Sequence, residues 1–199
     1  YTMEGAGQNN YGKLITKDGS SDGFGFNHSG RRLGYVFHNT NTTYTSGSID
    51  PLHTYSTSDW HHIAIVYDID DVATTHPTIF LDGTKLVAGD GLTVSTHATG
   101  GFGIGDYDDS GKHVFIGDYY ALNRCWNGNI DEVSFWSKEL SDAEAASLYN
   151  SGTPTNLEGI EDLVGWWRME ENTGSTVADS SENSNSGTIS NATFSSDTA

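Results

Sequence analysis

The sequence predicts an all-β protein, a two-sheet antiparallel sandwich with one short helix near its C-terminal end, and three observations carry that prediction. The first is composition: 24 Gly and only 3 Pro accompany plentiful Ser, Thr and Asn, while 5 Trp, 10 Tyr and 8 Phe supply large apolar side chains. Many short strands joined by turns have this profile. The second is Val114 to Tyr149, which reads in order as strand, loop, strand and capped helix. The third is Trp60 to Tyr67, apolar on both faces. Such a strand belongs at the centre of a sheet, covered on one side by the second sheet and on the other by a loop or a neighbour. One domain of this kind accounts for 199 residues and needs no disulfide, and a second full domain would not fit.

Along the chain, Leu14 to Lys17, Gly23 to Phe26 and Arg32 to Phe37 read as three short strands split by Gly and Ser turns. After Trp60 to Tyr67, Ile79 to Leu86 alternates around Asp82-Gly83, the pair a type I′ hairpin turn demands because both central residues take positive φ. Leu92 to Thr96 and Gly103-Ile104 add further strands. Phe115-Ile116-Gly117 closes another, Trp126-Asn127-Gly128-Asn129 turns the chain, and Ile130 to Trp136 runs on in β-branched and aromatic residues. Ser141 and Glu144 have the spacing of a capping box, Leu148 and Tyr149 anchor the helix, and Gly152 with Pro154 stops it.

The net charge of −18, with only 9 Lys and Arg, argues against nucleic acid or an anionic membrane as partner, since binding to either is driven by basic residues releasing counterions. No apolar run approaches the roughly 18 residues of a membrane span, so no membrane insertion is expected. Cys125 is the single cysteine, which rules out an intrachain disulfide and reads as a small buried hydrophobe beside Trp126. Tyr1-Thr2-Met3 is neither an initiator start nor a secretion signal, which suggests a processed or excerpted piece of a longer chain.

Four motifs resemble a known family. Trp126-Asn127-Gly128-Asn129-Ile130-Asp131-Glu132-Val133, followed by Trp136 and then by Leu140-Ser141, Glu144 and Leu148-Tyr149, is similar to the closing strand and helix of laminin G-like domains. Trp60-His61-His62-Ile63-Ala64-Ile65-Val66-Tyr67-Asp68 resembles their tryptophan-led strand, and Ile79 to Leu86 their Asp-Gly hairpin. The resemblance implies the concanavalin A-like jelly roll, an antiparallel two-sheet sandwich, over residues 1–153. It also implies something unexpected for 154–199. Leu163-Val164-Gly165-Trp166-Trp167-Arg168-Met169 and Asp179 to Ile189 resemble the opening motifs of the family, displaced to the other end of the chain. The displaced strands could complete the same sandwich, begin a truncated next repeat, or be donated to a neighbouring subunit in a homo-oligomer. The order of these C-terminal motifs also resembles virion structural proteins of marine tailed phages. That likeness implies a fibre, decoration or appendage protein, with a secreted protein of marine bacteria as the rival; either would be extracellular or on a virion.

Catalysis has little support. Glycoside-cleaving relatives of this fold carry a Glu-x-Asp-x-(x)-Glu strand that aims both carboxylates into one cleft, and no such spacing occurs here. Gly19-Ser20-Ser21-Asp22-Gly23 matches a nucleophile elbow by letter but joins two strands rather than a strand and a helix. The expectation is a non-catalytic structural or recognition module, or alternatively a calcium-dependent carbohydrate-binding module.

Calcium has two candidate places. Asp106, Asp108 and Ser110 stand at positions one, three and five of a loop with Gly111 at six, the front half of a hard-cation loop. The twelfth position falls on Gly117, so a calcium hand is excluded, Asp118 is a candidate borrowed ligand, and a solvated acidic turn is an equal alternative. The resemblance implies a second place, at Asp131 with the opening loop that starts at Asp179. Asp68 to Asp71 reads as a solvated loop, and His61-His62 as packing and hydrogen-bonding residues. A glycan needs an aromatic platform and nearby hydrogen-bonding groups, which Tyr107, Tyr119, Tyr120, Asn123 and Arg124 could supply. The same aromatics equally suit a contact with neighbouring protein subunits.

Overall fold

Alternating side chains give the first strand its two faces: in β1 (Lys13–Lys17) Leu14 and Thr16 are buried while Lys13, Ile15 and Lys17 are less so. The computed structural model describes residues 1–2, 12–17, 24–29, 32–40, 43–49, 59–67, 77–87, 92–96 and 112–196. Strands β2 (Phe24–Ser29), β3 (Arg32–Thr40) and β4 (Thr43–Ile49) follow β1 as an antiparallel meander. Then β8 (Leu92–Thr96) pairs with β4 and β9 (Val114–Ile116) pairs with β1, giving six strands in the order β8-β4-β3-β2-β1-β9. The expected strand at Gly103-Ile104 lies outside the described residues.

The second layer holds β5 (Ile63–Val66), β6 (Thr78–Leu81) and β7 (Thr84–Lys85), an antiparallel set turned by Asp82-Gly83 with φ of 48° and 74°. It also holds β10 (Val133–Trp136) paired antiparallel with β11 (Leu163–Trp167). Between these two sets runs Tyr1-Thr2. The His61 N–H donates to the Tyr1 carbonyl at 2.8 Å, and the Thr2 N–H donates to the Asn129 carbonyl at 2.9 Å. Thr2 is buried there, with its hydroxyl accepting the Asn129 N–H and its carbonyl accepting the Trp126 indole N–H.

Two cores result. Leu14, Leu33 and Tyr35 of the first sheet meet Ile79, Leu81 and Leu86 of the second, and Phe24, Phe26 and Phe37 continue the inner face toward Phe135 and Trp167. On the outer side of β5 and β6, Val66 and Phe80 pack against Ala145 of the helix α1 (Asp142–Tyr149). β5 stands at the end of the β5-β6-β7 set and not at the sheet centre expected for it. Both faces of the Trp60 to Tyr67 stretch are covered, the outer one by this chain's own helix rather than a loop or neighbour. Its cap forms as the sequence indicates: Ser141 Oγ accepts the Glu144 N–H and Glu144 accepts the Ser141 N–H. Lys138 first, then Ser141, holds the Glu144 pKa down at about 2. The helix stops at Asn150, in a left-handed conformation with φ of 43°, ahead of the expected Gly152 and Pro154.

Three strands are shorter than the sequence suggests, the first being Trp60 to Tyr67, which pairs only over Ile63–Val66. Ile130 to Trp136 begins only at Val133 because Glu132 takes φ of 52°, and Leu163 to Glu170 ends at Trp167 before Met169 at φ of 59°. One strand, β4, was not expected at all. Its Thr, Ser and Gly carry no apolar stripe, and Gly47 is required because a Cβ there would collide with the Tyr35 ring lying across it. Beyond β11 a small hairpin of β12 (Thr176–Val177) and β13 (Gly187–Thr188) closes the described chain. The C-terminal strand β11 pairs with β10 of the same chain. Leu157, Leu163 and Trp166 form a third cluster with Trp136 and Leu148.

Candidate functional site

The residues between β9 and β10 form a loop that one carboxylate holds in shape. Gly117, at φ of 82°, lets the chain leave β9, and its N–H donates to the Leu14 carbonyl at 2.8 Å. Asp118 Oδ1 then accepts the N–H of Tyr119 at 2.8 Å and of Arg124 at 2.9 Å, while Oδ2 accepts the Cys125 thiol at 3.2 Å. The Thr16 hydroxyl donates to the Asp118 carbonyl, and the Lys13 N–H to the Arg124 carbonyl, tying both ends of the loop to β1. A turn closed by the Leu122 N–H on the Tyr119 carbonyl, with Leu122 at φ of 50°, fills the span. Cys125 is therefore a hydrogen-bonding group rather than the buried hydrophobe expected. Burial first, and then Asp118, pushes its thiol pKa up and keeps it protonated.

On this clamp stand four of the residues singled out in the sequence. The Tyr119 and Tyr120 rings lie 4.2 Å apart at 59°, and the Arg124 guanidinium sits 5.8 Å from the Tyr119 ring centre. Tyr120 and Leu122 are each 48% exposed and Asn123 is exposed beside them. A fifth member comes from far away in sequence. Lys13 Nζ is 6.0 Å from the same Tyr119 ring, and burial, then the Arg124 charge, lowers its pKa. Aromatic faces flanked by a guanidinium and an ammonium can stack on a flat, partly apolar ring and hydrogen-bond its substituents. Tyr107 lies outside the described residues.

Asp106, Asp108 and Ser110 lie outside the described residues. Asp131 Oδ1 accepts the Glu132 N–H at 3.0 Å. Asp179 accepts three backbone N–H groups, from Trp166 and Ser181 on Oδ1 and from Asn185 on Oδ2. Together with Asn183 and Asn185, whose amides donate to the Leu163 and Val164 carbonyls, it braces the outer edge of β11. Among the described residues no three His, Cys, Asp or Glu side chains converge as a metal cluster. His61 and His62 serve structure: His61 Nδ1 shares a 2.8 Å hydrogen bond with Asp82 Oδ2, and the His62 N–H donates to Asp82 Oδ1.

These carboxylates give the protein an acid limb. Burial opposes ionisation of Asp82, but the hydrogen bonds from His61 and His62 outweigh it and lower the pKa; at Asp179 burial is likewise outweighed by the N–H groups of Trp166, Asn185 and Ser181. Each therefore favours folding above the unfolded carboxylate pKa of about 4, and that contribution is lost as pH falls through the depressed folded values. Glu132 acts oppositely, since burial raises its pKa and its ionisation costs stability as pH rises. Urea unfolding followed between about pH 2 and pH 6 should show a shallower acid limb in Asp82→Asn and Asp179→Asn than in the parent. An unchanged slope would remove both carboxylates from the account.

Residues 4–146 match the family model Laminin_G_3, described as the concanavalin A-like lectin/glucanases superfamily. The chain belongs to that family. No curated protein matches the sequence. Among solved structures, a candidate carbohydrate-binding protein from Bacteroides ovatus superposes with a TM-score of 0.54 at 16% identity, covering 89% of this chain and 50% of that one. The chain thus spans about half the length of that protein, and the likeness establishes the sandwich fold alone.

Proposed function

We propose that the chain is a non-catalytic carbohydrate-binding module of an extracellular protein, and that it holds its glycan at the Tyr119–Arg124 loop. One observation carries the reading. An aromatic pair and one cationic side chain on a loop whose backbone is fixed by Asp118 are joined by a second cation, Lys13 of β1. The exposed Tyr120 ring offers the face on which a pyranose rests, and Arg124, Lys13 and Asn123 offer hydrogen bonds to its hydroxyls. The family's lectin description and the carbohydrate-binding description of the Bacteroides neighbour support the same class of ligand.

The test is a glycan screen run in calcium and again in chelator, followed by a binding isotherm for the best ligand. Tyr120→Ala is expected to weaken binding at least about tenfold, a loss near 1.4 kcal/mol, with the unfolding midpoint unchanged. If no glycan is retained, or if Tyr120→Ala binds as well as the parent, the reading fails. Calcium belongs to it as a structural cation of the Asp106, Asp108 and Ser110 loop, with Asp131 as a second position, and chelation should then lower the melting temperature.

A role in a phage virion rests on the C-terminal sequence resemblance alone, and neither the family match nor the Bacteroides neighbour adds to it. In that role the same tyrosines would contact neighbouring subunits. Light scattering separates the two, since an obligate multimer that binds no glycan would favour assembly and a monomer that binds one would favour the module.

A further inference from the structure

A polar hollow of about 440 Å³ opens at the outer side of β10 and β11, away from the tyrosine loop in sequence and built from other elements. Its volume falls within the roughly 300–1,000 Å³ of small-molecule sites. Trp166 forms the inner wall, Pro154 an apolar flank, and Glu132, Arg168, Asn156 and Ser180 bring polar groups to it. Their arrangement is specific. The Trp166 indole N–H donates to Glu132 Oε2 at 2.7 Å, which fixes the carboxylate, and the Arg168 guanidinium lies over the same indole at 5.3 Å. Glu132 Oε1 and Arg168 Nε stand 3.7 Å apart, too far for a hydrogen bond, so an acceptor and a donor are presented side by side. The Glu158 N–H fixes the Asn156 amide by its oxygen at 3.0 Å and leaves the NH2 to donate.

We infer that this hollow is a second saccharide subsite, in which Glu132 and Arg168 hold a vicinal pair of hydroxyls. One hydroxyl donates to Glu132 Oε1, its neighbour accepts from Arg168, and both charge-assisted bonds form in a recess where Glu132 is only 16% exposed. A neutral diol suits the site better than an ion, because a cation would meet Arg168 and an anion would meet Glu132. The φ of 52° at Glu132 has a role in this arrangement. It ends the strand early and turns the side chain under Trp166. The inference extends the proposed function to a new place on the molecule, sharing its ligand class but none of its residues.

The experiment titrates the methyl pyranosides of mannose, galactose and glucose into the isotopically labelled protein, following the Trp166 indole N–H resonance by NMR. At least one should shift that resonance saturably. Arg168→Ala, whose side chain is about half exposed in the parent, and Glu132→Gln, which can still accept from the indole, should each weaken that binding at least tenfold, while Tyr120→Ala leaves it unchanged. No saturable shift with any of the three, or a shift that survives both hollow variants, overturns the inference. Because Tyr120→Ala disables only the loop, loss of binding there with an intact Trp166 response, or the reverse, tells the failure of one site from that of the other.

Discussion

A chain ending at Gly159 is expected to lose the single sharp unfolding transition of the full protein. Truncation removes β11, whose residues pair with β10 at Val133↔Trp167, Ser134↔Trp166, Phe135↔Gly165 and Trp136↔Leu163. It strips Leu163 and Trp166 from the cluster that covers Trp136 and Leu148, and the Trp167 ring from its edge-on contact with Phe135. β10 would then present an unpaired edge beside uncovered aromatic surface, a state that favours partial unfolding and aggregation. Circular dichroism and tryptophan fluorescence during urea unfolding should give broad, non-coincident transitions. A truncated chain that keeps one sharp transition at the parent midpoint would make residues 160–199 a separate piece rather than part of this sandwich.

Phe80→Ala should be the most damaging single substitution, lowering the unfolding free energy by about 3–5 kcal/mol. Phe80 is 1% exposed and sits where β5, β6 and the helix meet, among Val66, Ala145, Ala64, Leu140 and Ala146. Alanine on the far side of that contact cannot expand to fill the space, so most of the cavity would persist. In thermal unfolding the same loss corresponds to a drop of roughly 6–20 °C for a domain of this size. Urea denaturation checks it, and a loss below about 1 kcal/mol would mean that the helix is not fastened to the sheet through this side chain.

Much of this architecture is written locally. The Asp82-Gly83 turn and the Ser141-Glu144 cap each depend on a few adjacent residues, and both form as expected. Strand β4 depends on its neighbours. Nothing within Thr43–Ile49 announces a central strand, because the reason for Gly47 is the Tyr35 ring on the next strand. The same limit applies at the tyrosine loop. Tyr119, Tyr120 and Arg124 are close in sequence and could be grouped from it, whereas Lys13 reaches them only because β1 and β9 pair. In sequence Asp118 reads only as a candidate cation ligand, and its oxygens serve the backbone N–H groups of residues one and six positions ahead. Asp179 is a similar case, since its oxygens accept the backbone N–H groups of Trp166, Ser181 and Asn185. Glu132 and Arg168 were legible as residues but not as a pair, since they meet through the register of β10 on β11.

The pairing of β10 with β11 also sets a timetable for folding. A ribosome delivers β10 well before β11, and the helix and the Asn150 to Asp162 connection emerge in between. Throughout that interval the edge of β10 and the Trp136 ring wait for a partner that has not been synthesised. The arrival of β11 therefore decides when the sandwich closes. Until then the aromatic surface around β10 is open to any strand that fits it, which makes the interval between the two strands the stage of synthesis most exposed to aggregation.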